Sequence, residues 1–96
     1  MMDVQQTTQF SAWFEQLRDV QAKARITQRI HRLALGNPGQ QRQLKAGVAE
    51  MKLSYGPGYR VYYTRRGDQL ILLLCGGDKA SQADDIRLAY ALAREV

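Results

Sequence analysis

Four side chains in this sequence have the types and spacing to grip a phosphate: Lys52, Arg60, Tyr62 and Lys79. The first three belong to the segment from Glu50 through Tyr55-Gly56-Pro57-Gly58-Tyr59-Arg60 to Tyr63. The fourth follows the apolar run Leu70–Cys75 by way of Gly76-Gly77-Asp78. Arginine forks onto phosphate oxygens, and lysine adds a mobile point charge. When a ribose 2′-hydroxyl attacks its neighbouring phosphate, charge builds on the non-bridging oxygens, and preplaced cations stabilise it. That reaction also needs a base and an acid. The one histidine, His31, stands beside Arg32 on a helical stretch and reads as a surface residue. A two-histidine ribonuclease is therefore excluded, and Lys52, Lys79, Tyr62 or Tyr55 would have to move the protons. The bland alternative makes Lys52 and Arg60 exposed strand residues paired with Glu50 or another acid. Spacing alone does not separate the two.

Those side chains need a sheet to hold them. From Gly47 the apolar period is two: Ala49, Met51, Leu53 and Tyr55, then Tyr59, Val61 and Tyr63. Gly56-Pro57-Gly58 lacks the strand-to-helix context of a nucleotide loop and reads as a hairpin turn. With residues 56–58 as the loop, Tyr55 faces Tyr59, Ser54 faces Arg60 and Lys52 faces Tyr62. Lys52 and Arg60 are then diagonal neighbours about 7–8 Å apart. Arg66-Gly67-Asp68 marks a second turn, and residues 70–75 are apolar on both faces, the pattern of a central strand.

The remaining elements frame this hairpin. Asp3–Gln6 can form a short first strand. Phe10, Trp13, Phe14 and Leu17 predict a helix over 9–19, capped by Thr7 or Thr8. Ile26, Ile30 and Leu33 predict a second helix over 21–35, with Arg25, Arg29 and Arg32 on one face. Gly36-Asn37-Pro38-Gly39 stops it, and 37–46 reads as polar loop. Ser81 caps a last helix over about 82–94. The expected fold is α+β: an N-terminal strand and helical hairpin packed on a twisted antiparallel sheet, with a C-terminal helix. The 96 residues read as one domain.

Charge is unevenly spread. The chain carries +5 overall, but residues 20–66 hold ten cations against the single acid Glu50. A basic middle between acidic ends points to a polyanion, with a merely solvated surface or an acidic protein partner as alternatives. No apolar run approaches the roughly 18–20 residues that span a bilayer, and Met1–Gln6 is no secretory signal. The lone Cys75 excludes an internal disulfide and reads as a buried thiol, which fits the cytoplasm. P-loop, GxSxG, HExxH and CxxC patterns are absent, and Asp84-Asp85 have no metal-ligand spacing. Neither a metal nor a cofactor is expected.

The runs Phe10-x-x-Trp13-Phe14-x-x-Leu17-Arg18-Asp19, Ala22–Ile26, Glu50–Tyr63 and Leu72–Gln82 resemble the RelE/ParE superfamily of toxins. The resemblance covers nearly the whole chain. It is strongest to the HigB-like addiction module killer proteins of the phage-derived Gp49-like branch. It implies a bacterial type II toxin that cuts mRNA in the ribosomal A site, neutralised by a helix-turn-helix antitoxin. Lys52, Arg60 and Lys79 then match catalytic positions. Tyr62, Arg65, Arg66 and Lys45 are expected to contact RNA. ParE-like relatives instead poison DNA gyrase by binding, and a decayed toxin would only bind its antitoxin. Two positions depart from the pattern: Glu50 replaces an expected lysine, and Asp85 stands near the place of a catalytic tyrosine, with Tyr90 about a turn later.

Overall fold

Thr7 begins the first helix by accepting the Phe10 N–H on its hydroxyl at 3.0 Å, and the same hydroxyl donates to the Leu74 carbonyl at 2.6 Å. One side chain thus caps a helix and ties it to the sheet. In the computed structural model, which describes Met1–Val96, the chain runs β1 (Asp3–Gln6), α1 (Thr8–Gln16), α2 (Val20–Ala34), β2 (Gln41–Gln43), β3 (Val48–Lys52), β4 (Arg60–Arg66), β5 (Leu70–Gly77) and α3 (Gln82–Glu95). The α+β reading holds. No helix is long and apolar enough to cross a membrane.

Helix α1 stops three residues short of the expected 9–19 because Asp19 caps α2. Its carboxylate accepts the N–H groups of Gln21 at 2.9 Å and Ala22 at 3.1 Å.

The five strands form one sheet in the order β1-β5-β4-β3-β2. Four pair antiparallel, but β1 lies parallel to β5, so the sheet is mixed rather than antiparallel throughout. A parallel neighbour needs a long crossover, and α1 through β4 provide one. Strand β2 lies inside the stretch expected to be loop. Ala46 (φ 57°) and Gly47 (φ 74°) make a tight left-handed turn that folds β2 back onto β3. Arg42 comes to lie opposite Glu50.

Alternation along the strands gives the sheet two buried faces. One packs Met51, Leu53, Val61, Tyr63, Ile71 and Leu73 against Phe10, Ile26 and Leu33 of the helical hairpin. The other packs Val48, Tyr62, Leu74 and Cys75 against Ala89 and Leu92 of α3. A bulge in β5 where Tyr62 and Tyr63 pair lets Leu74 and Cys75 both reach the α3 face. Glycines close the end of that strand. A Cβ on Gly76 would run into the Trp13 ring, and one on Gly77 into the Asp85 carboxylate. Each thus lets a helix side chain lie directly on the backbone.

The β3–β4 register differs from the expected one by two residues. Lys52 pairs with Arg60, Met51 with Val61 and Glu50 with Tyr62. The Leu53 N–H donates to the Tyr59 carbonyl at 2.9 Å, so the loop is residues 54–58. Tyr55 leaves the ladder for α2: its hydroxyl donates to Asp19 at 2.9 Å, and Arg25 lies over its ring. A two-residue shift preserves which side chains share a face. Lys52, Arg60, Tyr62 and Glu50 all point to the α3 side.

Candidate anion-binding cleft

Beyond the N-terminal end of α3, its face of the sheet is left open as a polar cleft. Gln40, Gln41, Arg42, Glu50, Lys52, Arg60 and Gln82 line its volume of about 450 Å³, and none of them is hydrophobic. Lys52 and Arg60 face each other directly across the strand pair. Like charges opposite one another oppose pairing. An anion between them relieves that repulsion.

Glu50 is the counter-charge built into the floor. It is 3 % exposed. Its Oε1 accepts from Arg42 Nε at 2.7 Å, and its Oε2 accepts from the Tyr62 hydroxyl and from Gln82 Nε2, both at 2.9 Å. Burial alone would push its carboxyl up, but these bonds outweigh burial and hold it below the ordinary carboxylate range. Glu50 therefore stays ionised and ties β3 to β2, β4 and α3 together.

Arg60 is 6 % exposed. Its Nη1 donates to the Gly58 carbonyl at 2.6 Å and so braces the 54–58 loop. Its Nε forms an ion pair with Glu50 Oε2 at 3.9 Å, beyond hydrogen-bond reach, and makes no hydrogen bond. That nitrogen is closed to solvent, so its charge is balanced by the Glu50 carboxylate and not by a hydrogen bond. Lys52 is half-buried, and its carbonyl accepts from Arg29 Nη1 at 2.8 Å. Arg29 also donates to the Pro38 and Gln40 carbonyls, both at 3.1 Å, so this α2 cation clamps the cleft wall and is not free for RNA.

Lys79 is exposed at the adjoining loop. Its N–H donates to the Pro57 carbonyl at 3.4 Å, which docks the Gly-Pro-Gly loop against the start of α3. Lys79 thus sits beside Arg60 but is not among the residues lining the cleft.

The expected RNA-contacting set does not assemble here. Tyr62 is fully buried under α3. Burial first, then its bond to Glu50, pushes its phenol above the ordinary tyrosine value. It has no surface to offer a strand of RNA and serves instead as a donor to Glu50. Arg65 lies five residues along β4 from Arg60, roughly 16 Å at strand rise, and pairs with Asp68 at 3.1 Å. Arg66 is next to it, exposed. Lys45 lies in the β2–β3 turn, where its N–H donates to the Tyr90 hydroxyl at 3.3 Å. Tyr90 thus faces that turn. Tyr55 is bonded to Asp19, and that bond, first among the causes, raises its phenol. Neither tyrosine is placed to serve the cleft.

Asp85 lies over Gly77 and accepts from the Ser81 hydroxyl at 2.5 Å. Burial first, then the nearby Asp78 and Asp84, raises its carboxyl above the ordinary value. Ser81 occupies the N-cap position of α3, but its hydroxyl is spent on Asp85 and makes no capping bond.

Arg42, Gln40, Gln41 and Gln82 escaped the sequence reading. The signal for Arg42 was the Ala46-Gly47 turn, which brings it opposite Glu50. Nothing local marked Gln82. No group of three or more His, Cys, Asp or Glu side chains is placed to hold a metal ion.

Comparison with known proteins adds two findings. The family described as "Phage derived protein Gp49-like (DUF891)" matches residues 12–94. A protein of Haemophilus influenzae (strain ATCC 51907 / DSM 11121 / KW20 / Rd), described as "Uncharacterized protein", is 40% identical over 95 residues, covering 99% of this chain and 96% of its own length.

Proposed function

The chain belongs to the phage-derived Gp49-like family, a toxin-like family, and from that premise we propose that it is the toxin of a bacterial type II toxin–antitoxin pair. It acts in the cytoplasm as a metal-independent endoribonuclease on ribosome-bound mRNA, and a helix-turn-helix antitoxin neutralises it. The observation that carries this reading is Arg60: nine-tenths buried beside Glu50, lining a polar cleft directly opposite Lys52.

In this reading the scissile phosphate sits between Arg60 and Lys52. The 2′-oxygen attacks phosphorus, the bond to the 5′-oxygen breaks, and a 2′,3′-cyclic phosphate and a 5′-hydroxyl result. Arg60 stabilises the charge on the non-bridging oxygens. Glu50 keeps Arg42 and Tyr62 in place. Lys52 and the exposed Lys79 are the mobile groups left to handle the two protons, since both candidate tyrosines are engaged elsewhere. The ribosome presents the strand and aligns the 2′-hydroxyl.

One observation favours a second reading, a ParE-like gyrase poison: no histidine and no free phenol reaches the cleft. Primer extension on cellular mRNA after induction separates the two. Cuts inside translated codons are expected, and broken DNA with intact mRNA would sink the nuclease reading. Arg60→Ala is expected to lower cleavage by about 10²–10³-fold, as for loss of one preorganised charge-stabilising donor, and to relieve growth arrest. Lys79→Ala relieves it less. Full toxicity of both variants, with melting curves showing folded protein, would remove the site.

A further inference from the structure

Gln82 is the first residue of α3 and lines the cleft. Its Nε2 donates to Glu50 Oε2 at 2.9 Å. An ionised carboxylate can only accept, so the amide has one permitted orientation, nitrogen toward Glu50 and oxygen away. Glu50 is held in that ionised form by Arg42, Gln82 and Tyr62. No protein donor reaches Gln82 Oε1. The cleft therefore carries cationic donors for an anion and, at one edge, a neutral acceptor whose orientation Glu50 fixes. An acceptor of this kind adds nothing to phosphate binding. It suits a hydrogen-bond donor near a phosphate, which in RNA is either the ribose 2′-hydroxyl, the attacking group in the reading above, or a base edge.

We propose that Gln82, oriented by Glu50, reads one base of the bound RNA and favours the 6-amino group of adenine or the 4-amino group of cytosine over the carbonyl oxygens that guanine and uracil carry at those positions. The amine projects beyond the ring and meets Oε1 as a donor. Guanine and uracil place a carbonyl oxygen at the equivalent position, where two acceptors repel. This rests on the nuclease reading above and adds a specificity-determining residue to it.

The test uses ribosomes programmed with messages that differ by one base at each position of the A-site codon. At one position the wild-type protein is expected to cut A and C about tenfold faster than G and U, the scale of one hydrogen bond to a base edge. Gln82→Met, similar in length but without an acceptor, is expected to bring that ratio near one. Glu50→Gln frees the amide to turn over and is expected to lower the ratio although Gln82 is still present. An unchanged ratio in either variant, or no such ratio in the wild type, overturns the proposal and leaves the nuclease reading standing. Failure of the wild type to cut any programmed ribosome overturns both.

Discussion

The two faces of the sheet solve different problems with the same strands. The hairpin face is closed: Phe10, Ile26 and Leu33 cover Met51, Val61, Ile71 and Leu73, with Trp13, Phe14 and Ile30 around them. Tyr55 and Tyr59 stack at its margin, and Trp13 meets Tyr59 edge-on. The α3 face has a smaller core, and beyond the start of α3 it gives way to charge. The hydrophobic effect does the work on the first face. On the second, Glu50 gathers one partner from each of three elements. A sheet covered completely on both sides would have no polar cleft.

Core truncations should expose the largest contrast. Phe10→Ala on the hairpin face is expected to cost about 3–5 kcal/mol, enough to unfold much of a small domain. Leu92→Ala under α3, 6 % exposed, is expected to cost about 2–3 kcal/mol. Urea unfolding measures both, and equal losses would break the distinction between a closed core and a partial one.

The next effect concerns Glu50 and acid. Its folded pKa is depressed, so the stability it contributes is present above its unfolded pKa of about 4.3 and is lost as pH falls through the lower folded value. Asp85 runs the other way: its folded pKa is raised, and its contribution is lost as pH rises through that value. Glu50→Gln should lose about 1–3 kcal/mol at neutral pH and flatten the fall in melting temperature below about pH 4.3. A variant profile parallel to that of the wild type would show that Glu50 is not the acid-sensitive group of this face.

The smallest expected change strengthens the protein. Ala46 holds φ 57°, a conformation that L-residues other than Asn, Asp and Gly adopt at a cost. Ala46→Asn is expected to gain roughly 0.5–1 kcal/mol and to firm the turn that sets Arg42 against Glu50. A loss of stability would show that the turn is held by something other than its backbone angles.

Periodicity alone identified both long helices, the two central strands and the division of β3 and β4 into a core side and a Lys52/Arg60 side. Side-chain alternation is local, so it survives any two-residue error in pairing. The spacing of Gly56 and Gly58 located the hairpin loop. Only the folded chain decided that Lys52 and Arg60 meet directly, because Tyr55 leaves the ladder for Asp19. Only the fold decided which cations share a site: Arg42 joins through a three-residue edge strand, while Arg65, Arg66 and Lys45 lie elsewhere. Tyr62 looked available because strand alternation assigns a side but does not reveal what covers it. The placement of α3 buried that phenol and delivered Gln82. The sequence by itself determined which residue types were present and which way each strand faces, since those depend on neighbours in the chain. The charge environment depended on contacts between residues as far apart as Glu50 and Gln82, and tertiary packing alone sets those.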